Sequence, residues 1–113
     1  MKVDKELIKG STSLLILSLL NRKEMYGYEM IKEIDVTSNG IFAFKEGTLY
    51  PILHTLESDG FIESFWREGE TKRKRKYYSI TKAGKKYLQT KEEEWNLFEN
   101  TVNRVLRGNQ LWE

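Results

Sequence analysis

Apolar residues recur along this chain in two rhythms, and the switch between them locates its elements. From about Asp4 to Asn21 the spacing is helical. The second half of that stretch, Leu14-Leu15-Ile16-Leu17-Ser18-Leu19-Leu20, is apolar nearly all round, as a helix covered on several sides should be. Tyr26 to about Ser38 reads as a second helix ended by Asn39-Gly40, and Phe42-Ala43-Phe44 as a short extended piece. Leu49, Ile52, Leu53 and Leu56 then recur at i, i+3, i+4 and i+7, one stripe of a third helix. Pro51 is expected just inside its start, where a missing backbone donor costs little. Asp59-Gly60 closes it, with glycine free to take the left-handed cap.

Past Gly60 the rhythm changes. Phe61 to Trp66 and Lys76 to Thr81 are rich in aromatic and β-branched residues and read as two strands of a hairpin. Thr81-Lys82-Ala83-Gly84 opens a last helix that runs to about Arg107. The order α-α-α-β-β-α describes a mainly helical fold with a small β hairpin, the plan of a winged helix-turn-helix. In that plan the third helix enters a DNA major groove and the hairpin, or wing, touches the backbone beside it. Residues 1–81 are expected to form this unit, and residues 82–113 a C-terminal dimerisation helix and tail.

Charge sharpens the expectation. Residues 67 to 86 hold nine Lys and Arg against Glu68 and Glu70, a net of +7, whereas the whole chain is only +2 and the remainder therefore −5. A charge run is often no more than a solvated face. Placed in a hairpin beside an amphipathic helix, it suits a footprint on phosphate. The run is not amphipathic, so a membrane surface is the poorer partner. The side of the third helix opposite its leucines carries Gly47, Pro51, His54 and Ser58, flanked by Thr48, Tyr50 and Thr55. It is small, polar and almost free of acid, as close approach to base edges requires. An ordinary surface helix would show the same leucine stripe, and His54 reads equally well as a plain exposed histidine.

Gly47-Thr48-Leu49-Tyr50-Pro51, with Leu53-His54-Thr55-Leu56-Glu57-Ser58-Asp59-Gly60-Phe61-Ile62, resembles the PadR family of bacterial transcriptional regulators. Tyr26-Gly27-Tyr28-Glu29-Met30-Ile31-Lys32-Glu33-Ile34 upstream and Arg75-Lys76-Tyr77-Tyr78-Ser79-Ile80-Thr81-Lys82-Ala83-Gly84 downstream extend the likeness over roughly residues 5 to 107. The resemblance implies a homodimeric repressor that binds an inverted-repeat operator and lets go when a small molecule or other signal arrives. The single short C-terminal helix is similar to the compact branch of that family, some members of which sense planar hydrophobic compounds. The DNA-contacting residues so expected are Lys45, Thr48, Tyr50, Pro51 and His54 on the helix, and Lys72, Arg73, Lys74 and Arg75 on the wing. By the same resemblance a hydrophobic or aromatic effector would sit among Leu7, Gly10, Ser13, Leu14, Leu88, Lys91, Glu92, Trp95 and Phe98.

The last helix carries Leu88, Trp95, Phe98, Val102 and Val105. From Trp95 the steps are 3, 4 and 3, a heptad-like stripe that wants a partner helix. Less than two heptads are present, too few for a free coiled coil. These five residues are the expected dimer seam, with packing inside the chain as the competing use. Trp95 serves either as seam or as pocket wall.

Other function classes find little support. The chain has no cysteine and one histidine, so no disulfide framework, thiol nucleophile or zinc cluster is expected, and no metal or cofactor. No acid–base pair or nucleophile stands at catalytic spacing, which argues against an enzyme. Met1 to Gly10 is charged and the apolar run Leu14 to Leu20 is too short to span a bilayer, so a cytoplasmic protein without membrane association is expected. The remaining alternative is a winged-helix module that binds protein without specific DNA binding. Such a module should lack a focused basic wing.

Overall fold

The computed structural model describes residues 1–108; the last part of the expected 82–113 unit, its tail from residue 109, lies outside the described residues. Among the described residues five helices and three strands follow one another as α1 (Lys5–Lys9), α2 (Thr12–Arg22), β1 (Met25–Tyr26), α3 (Gly27–Thr37), α4 (Glu46–Ser58), β2 (Ile62–Glu68), β3 (Lys74–Ile80) and α5 (Lys82–Leu106). The winged helix-turn-helix plan is present, with two additions to the expected order.

The first addition is a break in the expected Asp4–Asn21 helix. Gly10 and Ser11 interrupt it, because Ser11 turns its own amide and its hydroxyl onto the Ile8 carbonyl, and Thr12 adds its hydroxyl to the same oxygen. Side-chain hydroxyls that compete for backbone acceptors end a helix that apolar spacing alone would continue. α1 therefore lies at the edge of the body, with Ile8 packed against the core but no residue fully buried, while α2 buries Ile16, Leu17, Leu19 and Leu20.

The second addition is β1. Two residues carry no period of their own, yet Met25 and Tyr26 pair with Tyr78 and Tyr77 and complete an antiparallel sheet of order β1-β3-β2. The hairpin register is anchored by Ile62 opposite Ile80 and runs out through Ser64–Tyr78 and Trp66–Lys76 to Glu68–Lys74. The strands thus reach farther toward the tip than expected, and Lys74 and Arg75 belong to β3. The turn itself is closed by the Gly69 amide donating to Arg73 O and the Lys72 amide donating to Gly69 O, with Lys72 at φ +61°.

One core holds these elements together. Met30 and Ile34 of α3, Leu49, Leu53 and Leu56 of α4, Ile62 and Tyr78 of the sheet and Leu88 of α5 close on the apolar side of α2. The leucine stripe of α4 is inside, as its spacing requires; Ile52 is half-buried at the rim. Pro51 is not at the helix start. The helix opens earlier, after Lys45 as N-cap, which makes Pro51 its sixth residue. The ring therefore deprives the Gly47 carbonyl of its intrahelical donor on the exposed side.

The end of α4 and the start of α5 are tied to each other. Gly60 takes φ +80°, and the Phe61 amide donates back to Leu56 O at 2.9 Å, the double reversal that satisfies the last carbonyls of a helix. Thr81, the N-cap of α5, accepts from the Gly84 amide at 3.0 Å and donates its hydroxyl to Gly60 O at 2.7 Å. Of the 25 residues of α5 only Gly84 and Leu88 are buried. Past Leu88 the helix leaves the body, which gives the molecule its 64 × 32 × 21 Å extents. Among the described residues no helix is long and apolar enough to cross a membrane.

Candidate nucleic-acid interface

The outward side of α4 is assembled by the burial of its inner side. With Leu49, Leu53 and Leu56 in the core, Lys45, Thr48, Pro51, His54, Thr55 and Ser58 are all exposed. Ser58 lies nearest the rim, at the helix end. Acid is scarce here. Glu46 lies in the first turn, where the helix dipole favours it. Glu57 is engaged by the Ser64 hydroxyl of β2, which donates to Oε2 at 2.5 Å and fixes the distance between α4 and the wing.

Tyr50 is less free than its neighbours. A Cβ built on Gly27 would meet the Tyr50 hydroxyl oxygen at 2.5 Å, so the ring lies directly over the start of α3 and the absence of a side chain there makes room for it. Tyr78, opposite Ser64 in the sheet, is buried nearby. Burial first, then the neighbouring Tyr50 and Glu57, hold its phenol above the ordinary tyrosine pKa, so it stays neutral.

Strand alternation sorts the wing into two faces. Starting from buried Ile62, the inner face continues through Ser64, Trp66 and Glu68 on β2, and through Tyr78, Lys76 and Lys74 on β3. It is the side on which Ser64 reaches α4. Here burial gives way to solvent within one pleat: Tyr78 is 4% exposed and Trp66 67%. Lys76 Nζ stands 5.8 Å above the Tyr78 ring.

The outer face is a ladder of aromatic rings and guanidinium groups. Tyr26 meets Tyr77 edge-on at 5.4 Å and Phe65 stacks with Tyr77 at 6.1 Å. Arg67 lies 4.7 Å from the Tyr77 ring and is ion-paired to Glu24 through Nη2 at 2.6 Å, while Arg75 lies 4.5 Å from the Tyr26 ring. Arg75, expected to face DNA with Lys72, Arg73 and Lys74, is therefore stacked on the far side of the sheet.

The run with net charge +7 is consequently not one patch. Lys72 and Arg73 stand at the tip, Lys74 and Lys76 on the inner face, and Arg67 and Arg75 on the outer face. Lys82, Lys85 and Lys86 lie at the base of the hairpin, a strand length of about 20 Å away at 3.4 Å per residue. Trp66 and Lys76 do not stand out in the sequence. Counting in steps of two from Ile62 places both, once the anchoring pair with Ile80 is known.

A second surface lies where α5 leaves the body. Tyr87, Lys91, Glu94, Trp95 and Phe98 share one stripe of α5 and, with Leu7, Gly10, Ser13 and Leu14 from α1, α2 and the break between them, line an open groove of about 790 Å³. Leu88 and Glu92 do not belong to it. Leu88 is turned about 100° from Tyr87 and is 3% exposed in the core, which also removes it from the expected dimer seam. Glu92 is turned about 140° from Tyr87 and about 100° from Lys91, and is exposed. Lys91 donates to Glu94 at 3.0 Å and its ammonium lies 5.3 Å from the Tyr87 ring; the Glu94 hydrogen bond first, then Tyr87, raises its pKa. From Phe98, which also lines the groove, the exposed stripe continues through Val102 and Val105, with Leu106 exposed beside them.

Comparison with known proteins adds a family to this geometry. The model of the transcriptional regulator PadR-like family matches residues 16–90. A protein of Lysinibacillus sphaericus is 36% identical over 94% of this chain and 97% of its own length. The transcriptional regulator YqjI of Escherichia coli is 29% identical over 90% of this chain, which spans about half, 47%, of that longer protein. Among solved structures, a transcriptional regulator from Clostridium thermocellum superimposes with a TM-score of 0.83 at 38% identity, covering 90% of this chain and 96% of the other.

Proposed function

The chain belongs to the PadR-like family of transcriptional regulators, and from that premise we propose that it is a homodimeric repressor which holds an inverted-repeat operator and releases it when a small hydrophobic or aromatic molecule binds. The family consists of regulators rather than enzymes, and membership implies DNA binding. The observation that carries the finer reading is the pairing of two exposed surfaces: the acid-poor side of α4 and, bonded to it through Ser64 and Glu57, a wing with lysines on its inner face.

In this reading α4 lies in the major groove. Thr48, Pro51 and His54 reach base edges, Lys45 meets phosphate at the helix start, and Tyr50 sits at the edge of the contact. Lys72, Arg73, Lys74 and Lys76 take backbone phosphates, while Arg75 holds the wing stiff from its outer face. Residues 1–81 then address DNA and the described part of residues 82–113 joins subunits.

The second copy is argued from α5. A helix of 25 residues is about 37 Å long, yet beyond Leu88 no residue of it is fully buried within its own chain, while Trp95, Phe98, Val102 and Val105 are exposed on one stripe. A second copy laid along this stripe removes it from water. It also roofs the groove between α5 and α1, and 790 Å³ is within the range that takes a drug-sized molecule. An effector there would bear on the angle between the two α5 helices and so on the separation of the two α4 helices.

The double change Phe98→Asp and Val102→Asp tests this. It sets two pairs of like charges against each other in the seam, an arrangement that buried surfaces do not tolerate. Sedimentation should give a monomer with the circular dichroism and cooperative melt of the folded domain, and specific duplex binding should be abolished. A folded variant that remains dimeric moves the seam elsewhere.

A further inference from the structure

We propose that Trp66 is a DNA-contacting residue of the wing, its indole packing against the sugars of the strand that runs between α4 and the hairpin, with Lys74 and Lys76 on the adjoining phosphates. The inference rests on reading α4 and the wing as the DNA face, and it adds to that reading a contact made by apolar area instead of charge.

Three observations carry it. Trp66 shares its face with Ser64, which is bonded to Glu57 of α4, so strand alternation sets the indole on the side of the recognition helix. It lies one step past the point where that face leaves the core, and at 67% exposure it is uncovered although Phe65 and Tyr77 on the outer face are half-buried among arginines. Its register partner is Lys76 and the next inner-face cation is Lys74, so a cation stands across from the ring and another beside it toward the tip. Glu68, opposite Lys74, is the one acid the strands place on this stretch of the face, against Lys74 and Lys76; Glu57 of α4, one pleat inward, is engaged by Ser64.

The chemistry of the duplex selects the target. Bases in a duplex are stacked and closed to an indole, whereas deoxyribose offers an apolar edge between phosphates. A broad ring flanked by two ammonium groups matches an apolar edge flanked by two anions. The exposed stripe of α5 is on a different element, so Trp66 does not belong to the proposed dimer seam.

Fluorine NMR of the full chain carrying fluorotryptophan tests the contact, with the Trp66 resonance identified by W66F and a mixed-sequence B-form duplex as probe. On binding, the Trp66 resonance should shift and lose its difference between light and heavy water, as a ring withdrawn from solvent does. W66A should weaken duplex binding about fivefold or more, as truncation of a covered interface residue does, and W66F should restore most of it. The dependence on salt should stay that of the wild type in W66A, because every phosphate keeps its cation, whereas changing Lys74 and Lys76 to Gln should flatten it. A bound duplex with Trp66 still open to solvent, or a W66A chain that binds as tightly as the wild type, overturns the assignment while leaving the DNA face intact. A wild-type chain that binds no duplex overturns the DNA face and this contact with it.

Discussion

Two glycines do different work in this molecule, and the atoms they meet separate stability from recognition. A Cβ at Gly84 would stand 2.0 Å from the Phe61 carbonyl oxygen and 2.8 Å from Ile80, and backbone cannot yield. Gly84→Ala should therefore cost on the order of 3 kcal/mol, at the upper end of overpacking, and lower the thermal midpoint by about 10 °C or more. At Gly27 the nearest atom is the mobile end of Tyr50, so Gly27→Ala should fold with a penalty of about 1 kcal/mol and instead push Tyr50 outward. Thermal unfolding and duplex titration of both variants check this; the drop in binding relative to the drop in stability should be larger for Gly27→Ala. Neither role is legible in the chain, because both depend on which residue from another element arrives opposite the glycine. The leucines of α4 are legible, since 3.6-residue spacing is set by the helix alone. The depth of Pro51 is not, because nothing in its neighbours marks Lys45 as the cap.

At the scale of elements, the wing is where sequence and structure diverge most usefully. The hairpin is visible in its aromatic and β-branched runs, but its parity is not. A strand begun at Phe61 instead of Ile62, and a loop extended through Arg75, leave undecided which residues share a face. Only the Ile62–Ile80 pair in the core settles it. The consequence can be measured. Replacing Lys72, Arg73, Lys74 and Lys76 with Gln should lower the slope of log K against log salt by up to about 0.9 for each phosphate that goes without its cation. Replacing Arg67 and Arg75 with Gln should change that slope little, because their guanidinium groups lie on Tyr77 and Tyr26 across the sheet, and should show instead as a lower melting temperature. Equal slopes in the two variants would return the whole basic run to the phosphate contact. The break after α1 and the two residues of β1 are illegible for a simpler reason: each is decided by a few hydrogen bonds, below the length at which periodicity speaks.

On the whole-molecule scale, one body carries a groove-sized helix, a wing fixed to it at 2.5 Å through Ser64 and Glu57, and a projecting helix with an uncovered apolar stripe. Alone, it would present a small footprint with few base contacts. Doubled about a two-fold axis through α5, it would present two such footprints at a set spacing, and the two half-sites would share the cost of association. The exposed apolar stripe of α5 is legible in the sequence from Trp95 onward, in its steps of 3, 4 and 3; the core place of Leu88 is not, because the same helix turns into the core before it leaves the body. Selection of bound duplexes from a random-sequence pool by the wild-type chain, followed by sequencing, tests the central claim most directly. A two-fold reader should enrich an inverted repeat whose half-site centres lie about one helical turn, roughly 34 Å, apart. Enrichment of a lone half-site, or a pool that emerges as random as it began, would contradict it.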